Sequence, residues 1–175
     1  MDAETWARRL GEYAVEKIGD HHGQVRRCVG LLSEEQVWFR PNERSHSVGN
    51  LVLHLCGNVT QWVLGGLGGR PYARDRGAEF AVRGAVSREE LRRRLGETLA
   101  AAETVLRGLT PEAVAGEHEI QQYRVTGLAA VLHVVEHFAF HTGQIVTTTK
   151  WLLDVDLSLY DERGRRRDGR QAGIP

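Results

Sequence analysis

Apolar residues recur every three or four positions through four long segments of the chain, separated by polar, glycine-rich or proline-broken stretches. The first segment runs from about Asp2 to Leu32, with Trp6, Leu10, Tyr13, Val15, Ile18, Val25, Cys28, Val29 and Leu32 as its apolar members. Gly11, Gly19, Gly23 and Gly30 inside it weaken the expectation of one unbroken helix. SEEQVWFRPNERSH then reads as a short turn and an extended passage ended by Pro41. A second helix starts at Ser47, a good N-cap, and runs through VGNLVLHLCGNVTQWVLGG until the glycines stop it. At about 100° per residue, Val48, Leu51, Val52, Leu55, Val59, Trp62 and Val63 share one broad arc, with His54, Asn58 and Gln61 as a polar strip along its edge.

A long connection follows, GGLGGRPYARDRGAEFAVRGAV, of the kind that often forms a lid or binding loop. The third helix starts at Ser87, whose spacing to Glu90 is that of a capping box, and continues to about Gly108. TPEAV is a further helix start, and GEHEIQQYRV alternates enough to be extended, as a short strand before helix four. The fourth helix runs from Thr126 to about Leu153 and is apolar nearly all round, with Leu128, Val135 and Val146 opposite its histidines. Such a helix is either central or covered on its far side by a second subunit. The pattern predicts an all-α four-helix bundle, one domain over residues 1–160, followed by a charged, Gly-rich tail over 161–175.

Composition narrows the class. There are 23 basic and 23 acidic residues, so no global field favours nucleic acid or an anionic membrane. No stretch approaches the roughly 20 apolar residues of a membrane span. The charged first residues do not read as a signal peptide. Cys28 and Cys56 lack CxxC spacing and are too few for a disulfide framework, which points to a reducing, cytoplasmic setting.

The chemistry concentrates in HVVEHFAFHTGQIV, where His133, His137 and His141 recur at intervals of four on the fourth helix. Residues four apart lie about 6 Å apart along the axis, so neighbouring imidazoles can converge on one ion; His133 and His141, roughly 12 Å apart, cannot easily do so. The pair is therefore His133/His137 or His137/His141. A catalytic ion commonly needs a third protein ligand, and His54, on the polar edge of the second helix, is the best candidate. Cys56 points elsewhere by the helical period, whereas Cys28 stays open as an alternative. His21, His22, His46 and His118 lie in polar, turn-like or extended contexts and are weaker candidates. Against all this stands the common case of a buried histidine that is simply hydrogen-bonded in a core.

HFAFHTGQIV, preceded by NLVLHLCGNVTQW, resembles the DinB-like (YfiT-like) superfamily of metal-binding four-helix bundles. The likeness extends to WFRPNERSHSVGNLVLH, RDRGAEF and TKWLL. It implies that His54, His137 and His141 are the metal ligands, the last two before Gly143 and Gln144. His133 then becomes a pocket residue. His46 departs from the family, whose members tend to carry Asn there. The resemblance implies a divalent ion, zinc or nickel first and iron or manganese next; imidazole donors alone do not choose among such metals. It also implies a homodimer, which the apolar fourth helix favours, and a small thiol and an electrophile as reactants.

The expected function is transfer of a metal-activated low-molecular-weight thiol or water to an electrophile, as in thiol S-transferases. Asn58 and Gln144 border the open position or fix an imidazole tautomer, or else are simply polar residues of helix packing. Arg74, Arg76 and Glu79 in the long connection form a solvated loop with local ion pairs, the commoner case, or close over the site and contact an anionic group of a substrate. Trp62 and Trp151 lie on the site-bearing faces, although aromatic residues at helical spacing are usually core. The alternative is a non-catalytic, stress-related bundle protein whose metal staples helices or senses, with a closed coordination shell. Nucleic-acid binding through RGRRRDGR is disfavoured, because acidic residues dilute that patch.

Overall fold

The computed structural model describes residues 1–164; the rest of the charged tail, with most of RGRRRDGR, lies outside the described residues. The chain is mostly helical. Helix α1 (Ala3–Leu31) is followed by the short α2 (Glu34–Trp38), then by α3 (Val48–Val59), which continues as a π-helical segment over Thr60–Leu67. The remaining elements are α4 (Arg76–Ala81), α5 (Arg88–Arg107), α6 (Pro111–Ala115), the hairpin β1 (Glu117–Ile120) and β2 (Tyr123–Thr126), and α7 (Gly127–Leu153). Within the described residues no helix is long and apolar enough to cross a membrane.

Local chemistry sets the helix starts. Asp2, Ser47, Ser87 and Thr126 each accept a hydrogen bond from a backbone N–H of the first turn of α1, α3, α5 and α7. At Ser87 the expected reciprocal box is not made, because the Glu90 carboxylate is drawn instead to Arg93 and Arg94. At Ser47 it is made, by Asn50. The stretch expected to be a turn contains α2, begun by a capping box between Ser33 and Gln36.

The four long helices meet through their apolar faces. α1 packs along α7 and α5, while α3 packs on α5, α4 and α7. Leu55, Leu91, Leu95, Phe138 and Ile145 are among the fully buried side chains, each worth roughly 1.5–3 kcal/mol of transfer free energy. α1 is unbroken despite its glycines. Gly11 is required by close approach: a Cβ there would come within 2.0 Å of the Leu106 carbonyl oxygen in α5.

The long connection after α3 is ordered by α4, and Trp38 Nε1 fastens its far end by donating to the Val86 carbonyl at 2.9 Å. The hairpin pairs Ile120 with Tyr123 across a two-residue turn in which Gln121 adopts a left-handed φ of 60°. His118 ties this hairpin to the π-helical segment, with Nδ1 3.1 Å from the Gly66 carbonyl and Nε2 2.8 Å from that of Ala113. α3, the connection, the hairpin and α7 thereby enclose one end of the interior.

Candidate metal centre

His54, His137 and His141 come together from α3 and α7. Each offers one nitrogen, and the three nitrogens lie within 4.8 Å of one another. Ring centroids are 4.9 Å apart for His54 and His137, 4.5 Å for His137 and His141, and 5.0 Å for His54 and His141. Three residues so arranged can hold a metal ion. His133 stays outside the group. Its Nε2 lies 3.3 Å from Asn58 Nδ2, and its ring stacks on Trp62 with centroids 3.9 Å apart.

Glu79 determines how His54 faces inward. Its Oε2 lies 2.8 Å from His54 Nδ1, while Arg74 donates to Oε1 at 2.7 Å and to Oε2 at 2.9 Å. A bare Nδ1 would set a lone pair against a carboxylate oxygen, so the proton belongs on Nδ1 and donates to Glu79. Arg74 Nη2 also lies 3.1 Å from Nδ1. A guanidinium only donates, so that contact is subordinate to the ion pair. His54 Nε2 is left as a free lone pair, directed at His137 Nε2 3.1 Å away. Nitrogens sharing a tetrahedral zinc at about 2.0–2.1 Å sit roughly 3.3 Å apart, so this spacing suits an ion between them.

The other two imidazoles are prepared in different ways. His141 Nδ1 lies 2.7 Å from Gln144 Oε1, which fixes Nδ1 as the donor and leaves Nε2 free. His137 Nδ1 is buried with no hydrogen-bond partner among the described residues. Burial first, then the neighbouring His141, His54 and His133 and the Arg74 charge, hold the His137 imidazole down to about 3. Burial likewise lowers His141 and His133 below the usual histidine value. Neutral imidazoles are the form that binds metal. Burial alone would raise the Glu79 carboxyl, but hydrogen bonds from His54 and Arg74 outweigh it and keep it below its ordinary value.

Of the two alternatives for the connection, Arg74 and Glu79 follow the local ion pair: they are paired with each other, against His54. Arg74 Nη1 continues the chain by donating to Gln61 Oε1 at 2.7 Å, and Gln121 Nε2 donates to the same oxygen at 2.5 Å. Phe80 lies beside His54 and His46, with centroids 4.7 and 4.1 Å away. Trp62 is buried, whereas Trp151 is exposed and rests near Phe39. Neither cysteine joins the cluster. Burial raises both thiols, Cys28 beside Thr149 and Cys56, up to about 12, beside Thr98. A cavity of about 440 Å³ reaches His54 and His137, lined also by Asn58, Trp62, Arg76 and His133.

Fold and cluster together describe a helical protein with a three-histidine candidate metal centre. The chain belongs to the DinB superfamily, whose family model matches residues 19–145. No curated protein matches it. A solved structure of a conserved protein from Enterococcus faecalis is similar at a TM-score of 0.69 and 13% identity, covering 82% of this chain and 97% of that one. A DinB-like protein from Bacillus cereus is similar at a TM-score of 0.65 and 12% identity, covering 81% and 91%. One from Bacillus subtilis is similar at 0.63 and 17% identity, covering 83% and 95%. At such identities the likeness concerns the fold alone.

Proposed function

We propose that the protein is a metal-dependent enzyme of four-helix-bundle architecture, in which His54, His137 and His141 hold a divalent ion and a small thiol or water is activated for transfer to an electrophile. The observation that carries this reading is the convergence of three imidazoles, with the Nδ1–H of His54 held by Glu79, so that a lone pair faces inward. A carboxylate behind a ligand histidine raises its basicity and fixes its ring. Gln144 does the same for His141 through an amide. When bound, a divalent ion with three neutral ligands supplies a Lewis-acidic position that lowers the pKa of a thiol or water. The side chains orient what enters: Trp62 and His133 form one wall of the cavity, and Asn58 offers an amide beside them.

The cavity also bears on the choice between reactive and structural roles. A stapling ion is enclosed by protein donors on every side, whereas here open space leads to His54 and His137. The exposed Leu132, Phe140 and Trp151 on α7 support a homodimer as part of this reading. The test is metal content by inductively coupled plasma mass spectrometry on wild type and His137→Ala prepared side by side. About one first-row ion per chain in the wild type, lost in the variant, is the expected result. A folded wild type that holds no metal and takes up neither zinc nor nickel overturns the reading.

A further inference from the structure

The cavity over the histidines carries a positive charge that no ion pair among the described residues neutralises. Two arginines line it, Arg74 and Arg76. Arg74 is paired with Glu79 and with Gln61. Arg76 has no ion pair or hydrogen bond among the described residues; its guanidinium lies over the Phe80 ring, 5.1 Å from the centroid. Among the described residues no aspartate or glutamate lines this cavity or the adjoining one of about 420 Å³, which shares Arg74, Arg76 and Gln121. The neighbouring Asp75 is turned to the backbone, where Oδ1 accepts from Ala78 N.

Stacking on Phe80 gives Arg76 a defined place. Phe80 is itself packed on His54, so the cation is anchored one ring away from the candidate ligand. A guanidinium stacked on an aromatic face keeps its N–H edge available, and that edge matches a carboxylate or similar oxyanion bidentately. Part of the remaining wall is apolar, formed by Trp62, Val125 and Ala129, and His54 and His137 lie among the same lining residues, as do the polar Asn58, Gln121, Tyr123 and His133.

We propose that Arg76 is the anion-recognising residue of this cavity and that its ligand is a small organic oxyanion with an apolar body. The negative group sits on the guanidinium, the apolar part along Trp62, Val125 and Ala129, and the reactive end toward His54 and His137. The inference rests on the metal-enzyme reading for what happens at the inner end, and on Arg76 for the charge preference.

The experiment compares 3-phenylpropionate with its neutral amide, 3-phenylpropanamide, by isothermal titration calorimetry on wild type and Arg76→Gln. Each protein is titrated after dialysis against EDTA and again after zinc addition. A charge-assisted contact predicts that wild type prefers the carboxylate by about tenfold or more, and that the ratio falls to near one in Arg76→Gln. Equal affinity for the two probes, no binding of either, or a preference that survives Arg76→Gln overturns the proposal. Zinc uptake, recorded in the same samples, reports on the metal reading separately. An Arg76-dependent preference without zinc uptake leaves the anion site standing and removes the metal. Zinc uptake without the preference does the reverse.

Discussion

A carboxylate hydrogen-bonded to the far nitrogen of a ligand imidazole acts on whatever the near nitrogen binds. In the proposed centre Glu79 would stand in that relation to His54, from which it lies 2.8 Å away, held there by Arg74. Glu79→Gln keeps a carbonyl oxygen able to accept from Nδ1–H but removes the negative charge and strands the Arg74 guanidinium. Zinc affinity, measured by competition with a chromogenic chelator, is expected to fall by roughly 10–100-fold. Unchanged affinity with an unchanged fold would reduce Glu79 to a loop anchor. The three histidines of α7 differ at this same scale. His137 and His141 face His54, while His133, one turn earlier, is occupied by Asn58 and the face of Trp62.

Among elements, the decisive contact is between the α4 connection and α3. Gly57 makes it possible: a Cβ there would lie 1.9 Å from Glu79 Oε1 and 2.8 Å from Arg74 Nε. Those atoms end flexible side chains, so Gly57→Ala is expected to push the ion pair off the helix rather than disrupt the core. The predicted outcome is weaker zinc binding with a melting temperature within a few degrees of wild type, read by the same competition assay and by circular dichroism. A large loss of stability instead would mean that the connection is an integral part of the fold. What the sequence disclosed follows the same division. The long helices were legible because burial on one face imposes a 3.6-residue period, and Ser47, Ser87 and Thr126 cap locally. The periodic helices made His54 and two of the three α7 histidines legible as candidates, but left His133/His137 and His137/His141 open, and only the family resemblance chose His137 and His141. For Glu79 and Arg74 a local ion pair was legible, whereas their approach to His54, across 25 and 20 residues, leaves no periodic trace. The bond from Gln121 to Gln61 spans 60 residues and was invisible for the same reason. α2 is too short to show a period. The glycines of α1 misled in the opposite sense: Gly23 and Gly30 face open space, and each costs only about 1 kcal/mol of helix propensity, which packing of the opposite face offsets.

Taken as a whole, the molecule encloses imidazoles that are easier to protonate once it unfolds. His137 is held at about 3 against an ordinary 6.5, and burial lowers His22, His46, His133 and His141 in the same direction. Below about pH 6.5 the unfolded chain therefore binds more protons than the folded one, and stability must fall with pH through that window toward 3. The melting temperature of EDTA-treated protein is expected to be level from pH 7 to 8 and to decline steadily from 6.5 to 4. The decline should be steeper with zinc, because acid also displaces the ion. A melting temperature flat across pH 4 to 7 would contradict the burial of these side chains. Trp62 extends this from stability to observation. It is a buried indole packed on His133, 3.9 Å between centroids with the rings tilted by 30°, on the wall of the cavity. Its emission is therefore exposed to quenching by a protonated imidazole or a paramagnetic ion nearby, and the protein carries its own optical probe of the site without an added label.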